Sequence, residues 1–210
     1  SDKTLRFANE KLVKLTFIGS YDSETHKRDL ENSRTSFTGN NSHCILNINC
    51  NSDGNADMDI TFDGIGFVNG KLGGGNDGAL YSDCGKGTVS ITLKNCYMTG
   101  NENLGKNGSG GAMIIMNVNK FMAENTVFAN NKGVRAPVVH CSNTDAEFVN
   151  CTFEGNEATG DAGVAYLPNG GKTAVFTDCE FRENEAARFG AVYHTEGRTT
   201  FNNCVFADNQ

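Results

Sequence analysis

The sequence predicts an all-β chain wound as a single-stranded, right-handed parallel β-helix, a solenoid of about seven coils of roughly 28 residues. Three observations carry that expectation. The segment TAVFTDCEFREN at 173–184 returns as TTFNNCVFADN at 199–209, AEFVNCTFEGN at 146–156 and ITLKNCYMTGN at 91–101. Looser copies lie at 121–131 and 60–70, and anchoring all six on the Cys179 slot gives Ile65, Cys96, Thr126, Cys151, Cys179 and Cys204. The intervals are 31, 30, 25, 28 and 25 residues. Inside each copy apolar and polar residues alternate, the period of a half-buried strand. Between copies stand Gly78-Ala79-Leu80-Tyr81, Gly111-Ala112-Met113-Ile114, Gly163-Val164-Ala165-Tyr166 and Gly190-Ala191-Val192-Tyr193, further strands entered through glycine.

Taken in order, 12–19 (LVKLTFIG) is an apolar strand ending at glycine, and 21–33 is a charged loop without periodicity. Residues 43–50 form the next strand, and 57–67 opens the first clear copy. Relative to the Cys179 slot, positions −5, −3, 0 and +2 face inward: Ala174, Phe176, Cys179 and Phe181 in that copy. The alternation slips by one after position −3, so each copy is two short strands around a corner. The glycine-led strand makes three per coil, with Ala136-Pro137-Val138-Val139 taking its place in the remaining coil. Residues 1–210 thus read as one β-helix domain, irregular over 1–50 and regular over 51–210. A copy that ends at Gln210 leaves an exposed coil end. That points to a fragment of a longer protein, or to an oligomer or adjoining domain covering the end.

A net charge of −7 over 210 residues argues against nucleic acid, which requires a clustered basic face. No apolar run is long enough to cross a bilayer as a helix, so no transmembrane segment is expected. The first ten residues, SDKTLRFANE, do not read as an export signal.

The repeated polar positions read first as scaffold. Cys96, Cys151, Cys179 and Cys204 share one slot, spread along an apolar row rather than converging as zinc ligands would. They form an expected ladder of reduced, buried thiols acting as small hydrophobes. Cys44 and Cys50 stand apart, with a bond between them left open. Asn40, Asn101, Asn131, Asn156, Asn184 and Asn209 fall three residues after the Phe/Met slot, at a turn where asparagine tolerates the left-handed conformation and bonds its stacked neighbour. A second row, Asn95, Asn125, Asn150, Asp178 and Asn203, immediately precedes the thiol slot.

Four groups carry candidate chemistry. Asp53, Asn55, Asp57 and Asp59 place oxygens at alternate positions, as a weak calcium site would, but lack the central glycine and distal glutamate of a calcium loop. No other cofactor is expected. Glu154 and Arg182 share a slot on adjacent coils, the arrangement of a surface ion pair. His140 and His194 share a slot two coils apart, about 10 Å by strand stacking and too far to bind one metal. Tyr81, Tyr166 and Tyr193 share another slot, with Ile114 and Val139 between, and form a candidate aromatic face for sugar rings.

The combination of Phe-x-x-Asn with Gly-Gly-Ala, as in 128–131 and 110–112, resembles the repeats of polymorphic outer membrane proteins. The opening Leu15-Thr16-Phe17-Ile18-Gly19-Ser20-Tyr21, followed by Arg28-Asp29-Leu30, resembles the first coil of secreted right-handed β-helix proteins of pectin-lyase-like fold. Pro137 departs from the repeat, standing where the small residue after glycine belongs. The resemblance implies a bacterial surface or extracellular location and a non-catalytic module for adhesion to glycan or a host-cell surface. The alternative is a polysaccharide lyase or glycoside hydrolase, or a fragment of one. Either function belongs to what does not repeat, chiefly the loops 21–33, 70–78 and 101–109.

Overall fold

A computed structural model describes residues 5–7, 13–49, 57–72, 78–85, 87–105 and 108–210. Among them the chain is all-β, without a helix, and its parallel sheets stack as a β-solenoid of about six turns. One face shows the count directly, its seven strands bounding six turns rather than the expected seven coils. Seven strands, from Thr35–Thr38 through Ile65–Val68 and Thr152–Glu154 to Val205–Ala207, lie in sequence order and pair in parallel.

Four strand positions recur per turn. The longest are Asp57–Asp63 and Thr88–Lys94 and their successors, whose burial alternates residue by residue. The corner and the Thr35–Thr38 face follow. A fourth position comes next, a five-stranded sheet from Lys71–Leu72 to Glu185–Arg188. It was not among the three expected strands. Its first three members are two residues long, too short for any alternation to show. The glycine-led strands, Leu80–Asp83, Met113–Met116 and Val139–Ser142, complete the turn. They join the long face through the continuous strands Ala165–Thr177 and Val192–Asn202.

The inward column is one run of stacked side chains. Phe148 lies on Phe176 with ring centroids 4.6 Å apart, and Phe153 lies on Phe181 at 4.7 Å. All four are fully buried, each stabilising the fold by about 1.5–3 kcal/mol through removal from water. The column opens at its last rung. There Phe201 and Phe206 are 40% and 49% exposed.

Two kinds of corner hold the turns. The asparagines at 101, 131, 156 and 184 are fully buried, and each spans three coils. Asn131 donates from Nδ2 to the Met98 carbonyl one coil below and to Asn156 Oδ1 one coil above. Its own Oδ1 accepts the Asn101 backbone N–H and Nδ2. The ladder runs on through Asn184 to Asn209. The left-handed conformation expected of this row falls elsewhere. It is taken by the preceding residue, as at Asn130 and Glu183, and by the second row, Asn95, Asn125, Asn150, Asp178 and Asn203. A side chain that must reach inward to bond carbonyls cannot also be the residue that reverses the backbone. Asn40 is left-handed and exposed, outside the buried ladder.

The residue after each member of that second row, Cys96, Thr126, Cys151, Cys179 or Cys204, donates its side chain to corner carbonyls. Cys151 Sγ reaches Ala123 O and Val149 O, both at 3.4 Å, and Cys179 Sγ reaches Phe148 O and Thr177 O. Thr126 does the same with its hydroxyl, donating to Glu124 O at 2.9 Å. The slot therefore selects a small donor, which cysteine and threonine both supply. Cys96, Cys141, Cys151, Cys179 and Cys204 are free thiols, and burial pushes Cys96 up to about 11 and Cys141 up to about 12. Cys50 lies outside the described residues, so the Cys44–Cys50 pairing does too.

Candidate functional site

Strand register decides which outward side chains meet. Val139 pairs with Ala165 and Ala165 with Val192, which places His140, Tyr166 and Tyr193 in one outward row. Below them the row continues through Ile114 to Tyr81. The expected alignment at Ala136–Val139 is therefore one residue early: Pro137, not Ala136, occupies the position of Gly111 and Gly163. Ala136 takes the left-handed place that Gly110 and Ala162 hold on neighbouring turns. With the shift His140 joins the tyrosines, and His194 pairs with Leu167 in a different row, its Nδ1 against Thr199 Oγ1.

The row is covered at one end and open at the other. Ile114 is fully buried although it points outward, because the turn through Gly110 lies against it. A Cβ on Gly110 would stand 2.7 Å from Ile114 Cγ1. The same turn is tied to the next by a bridge between Ser109 and Arg135 and by the Arg135 N–H to Gly108 O bond at 2.9 Å. Tyr81 lies beyond this cover, three rungs from Tyr166, and does not belong to the same surface.

Past the cover the aromatic groups are half-buried and continuous. Tyr166 stacks on Tyr193 with centroids 5.4 Å apart and 21° between planes. His140 packs below Tyr166 at 5.1 Å, and burial holds its imidazole down to about 4, helped by the Arg135 charge. It is thus a neutral ring at neutral pH. Phe189, 48% exposed, stacks on Tyr193 at 4.5 Å and extends the surface sideways. Phe189 holds φ +60°, in the turn position that Gly110, Ala136 and Ala162 occupy on other turns. A bulky side chain there is strained by about 1–3 kcal/mol, and such strain gathers at functional sites.

The rim is charged. The Arg135 guanidinium lies over the Tyr166 ring at 5.2 Å, and Arg188 lies near Phe189 at 5.8 Å. Asp161 sits between them, 2.6 Å from Arg188 and 3.9 Å from Arg135. Arg135, Asp161 and Arg188 hold one equivalent position on successive turns, just before the left-handed residue, but the residue type there does not repeat. They come from three successive turns, and strand register stacks them in one place.

The other candidates lie apart from this surface. Asp53 and Asn55 are outside the described residues; Asp57 and Asp59 are exposed on the strand Asp57–Asp63, with Asp59 3.8 Å from Lys14. Among the described residues no group of three His, Cys, Asp or Glu is placed to hold a metal ion. Glu154 and Arg182 meet across a rung at 3.1 Å. Of the expected functional loops, 21–33 is described throughout, whereas parts of 70–78 and 101–109 are not. Among the described residues no helix is long and apolar enough to cross a membrane.

No family model, curated protein or solved structure matches this chain.

Proposed function

We propose that the chain is a non-catalytic glycan-binding module of an extracellular or bacterial surface protein, used for adhesion, and that Tyr166 and Tyr193 are its contact surface. The observation that carries this is the outward, half-buried Tyr166–Tyr193 stack, extended by Phe189 and rimmed by Arg135, Asp161 and Arg188. Stacked on their neighbours, the rings present apolar edges and tyrosine hydroxyls, which with the charged rim suit the C–H groups and hydroxyls of pyranose rings. The sequence likeness to polymorphic outer membrane protein repeats and to secreted pectin-lyase-like β-helices supports the same setting.

Among the described residues, no carboxyl carries a resolved upward shift of the kind a glycosidase acid needs. A glycosidase needs one carboxyl kept protonated near neutral pH. Asp22, Asp29, Asp63 and Asp145 are all shifted the other way, Asp22, Asp29 and Asp145 chiefly by hydrogen bonds that favour the ionised form. At Asp63 burial works upward, and hydrogen bonds from Arg28 and Asn95 outweigh it. A panel of acidic and neutral polysaccharides tests the reading. Retention of at least one, with no change in its chain length, is the expected result; unsaturated or new reducing ends would replace it with a lyase or hydrolase.

A further inference from the structure

A second recess lies on another face, away from the aromatic surface. It is a cleft of about 380 Å³ between the charged loop 21–33 and the outward side of the strands Tyr97–Thr99 and Val127–Ala129. We propose that this cleft binds a small carboxylate carried on a compact apolar or ring body, with Arg34 as the counter-ion.

The wall is built. Tyr21 and Arg28 form an antiparallel bridge, and the Asp29 N–H donates to Ser20 O at 2.7 Å. Ser20 in turn donates its hydroxyl to Gly64 O at 3.0 Å, while Arg28 pairs with Asp63. These bonds fix the loop against the solenoid at the corner beside Gly64. Leu30 stands at its lip, 44% exposed.

The floor is shaped by one missing side chain. A Cβ on Gly66 would stand 2.1 Å from Tyr97 Cζ, so glycine lets the Tyr97 ring lie down across the rung below. Val127, on the next rung up, is left 41% exposed as an apolar floor. The amides of Asn95 and Asn125 edge it, joined to each other at 3.4 Å.

The charge is unbalanced. Among the described residues Arg34 is the one charged side chain lining the cleft, and its guanidinium rests 5.0 Å from the Tyr97 ring centroid. The neighbouring carboxylate, Asp63, is already taken by Arg28 and by Asn95 Nδ2. Stacked on an aromatic ring, an arginine keeps its donor edges turned outward, the arrangement that recognises a carboxylate. The volume, at the lower end of the small-molecule range, holds one or two rings rather than a polymer.

Amide-proton NMR with cyclohexanecarboxylate and its neutral amide as probes tests this. The acid is expected to shift the Tyr97, Asn125 and Val127 resonances, and to bind about tenfold more tightly than the amide, the worth of one charge-assisted hydrogen bond. Arg34→Gln should bring the acid down to the amide's affinity, and Val127→Glu should abolish binding of the acid. Unchanged resonances of the buried asparagines at 131 and 156 would show both variants folded. Equal binding of acid and amide, an Arg34→Gln variant that binds like the parent, shifts confined to other faces, or no shifts at all would each overturn the proposal. Loss of glycan binding at Tyr166 and Tyr193 would leave it standing.

Discussion

Asn131 Nδ2 and Asn156 Oδ1 lie 3.0 Å apart inside the solenoid, one link of a buried amide ladder that joins every regular turn to the next. Asn156 also accepts the Asn131 backbone N–H and donates to Phe128 O. Replacing Asn156 with alanine strands at least two buried backbone groups, each costing about 1–3 kcal/mol. Asn156→Ala is therefore expected to lower unfolding free energy by about 2–6 kcal/mol in urea titrations. Asn209→Ala, at the half-buried last rung, should cost clearly less. Equal losses at the two sites would refute the ladder's role.

The phenylalanine column gives a parallel contrast. Phe153 is fully buried between Phe128 and Phe181, at 5.1 and 4.7 Å, whereas Phe206 ends the stack. Phe153→Ala should cost about 3–5 kcal/mol. The same change at Phe206, already half in water, should cost a fraction of that. Denaturant midpoints of the two variants decide it.

Thiol reactivity should follow position in the column rather than sequence context. Cys96, Cys151 and Cys179 are buried, and Cys204 is partly open at the last turn. Iodoacetamide at about pH 8 is expected to modify Cys204 well ahead of the other three, since only an accessible thiolate reacts. All four should label together in denaturant. Fewer than four labelled there would contradict the reduced ladder. Cys151→Thr should be tolerated better than Cys151→Val, because only a donor serves Ala123 O and Val149 O.

Acid stability should depend on Asp145. The Thr173 N–H, at 2.9 Å, is the main cause holding its carboxyl below the usual 3.8, with the Thr173 hydroxyl and Lys172 adding to it. A depressed folded-state pKa contributes stability that is present above 3.8 and lost as pH falls through the folded value. Asp145→Asn keeps an acceptor but removes the titration. The variant's unfolding midpoint should fall less steeply than the parent's below about pH 4. Identical acid limbs would exclude this contribution.

Most of the scaffold was legible in the sequence because burial repeats at a fixed offset. Ala174, Phe176, Cys179 and Phe181 could be placed inward from alternation and one slip, and all four are buried. The glycine-led strand was harder. Ala136-Pro137 offers no glycine to anchor the alignment, so a one-residue error moved His140 out of the tyrosine row. The left-handed turns were assigned to the wrong asparagine, since residue type alone does not separate a side chain that reverses the chain from one that reaches inward. The platform's rim was illegible for a different reason. Arg135, Asp161 and Arg188 stack just before the left-handed position that Phe189 and its counterparts hold, but the residue types there change from turn to turn, so no repeated letter marks the slot. Gly66 likewise reveals its role only once Tyr97 is seen lying across it.

The central claim is that the Tyr166–Tyr193 stack is the binding surface. Affinity electrophoresis through gels containing the polysaccharides of the panel tests it most directly, comparing the parent chain with Tyr166→Ala/Tyr193→Ala. Each aromatic contact contributes about 0.5–1.5 kcal/mol, so losing both should weaken binding roughly 5- to 150-fold. The expected result is retardation of the parent by at least one glycan, and a clearly weaker retardation of the double variant by the same glycan, with equal mobilities in blank gels. A folded double variant retarded as strongly as the parent would contradict the claim.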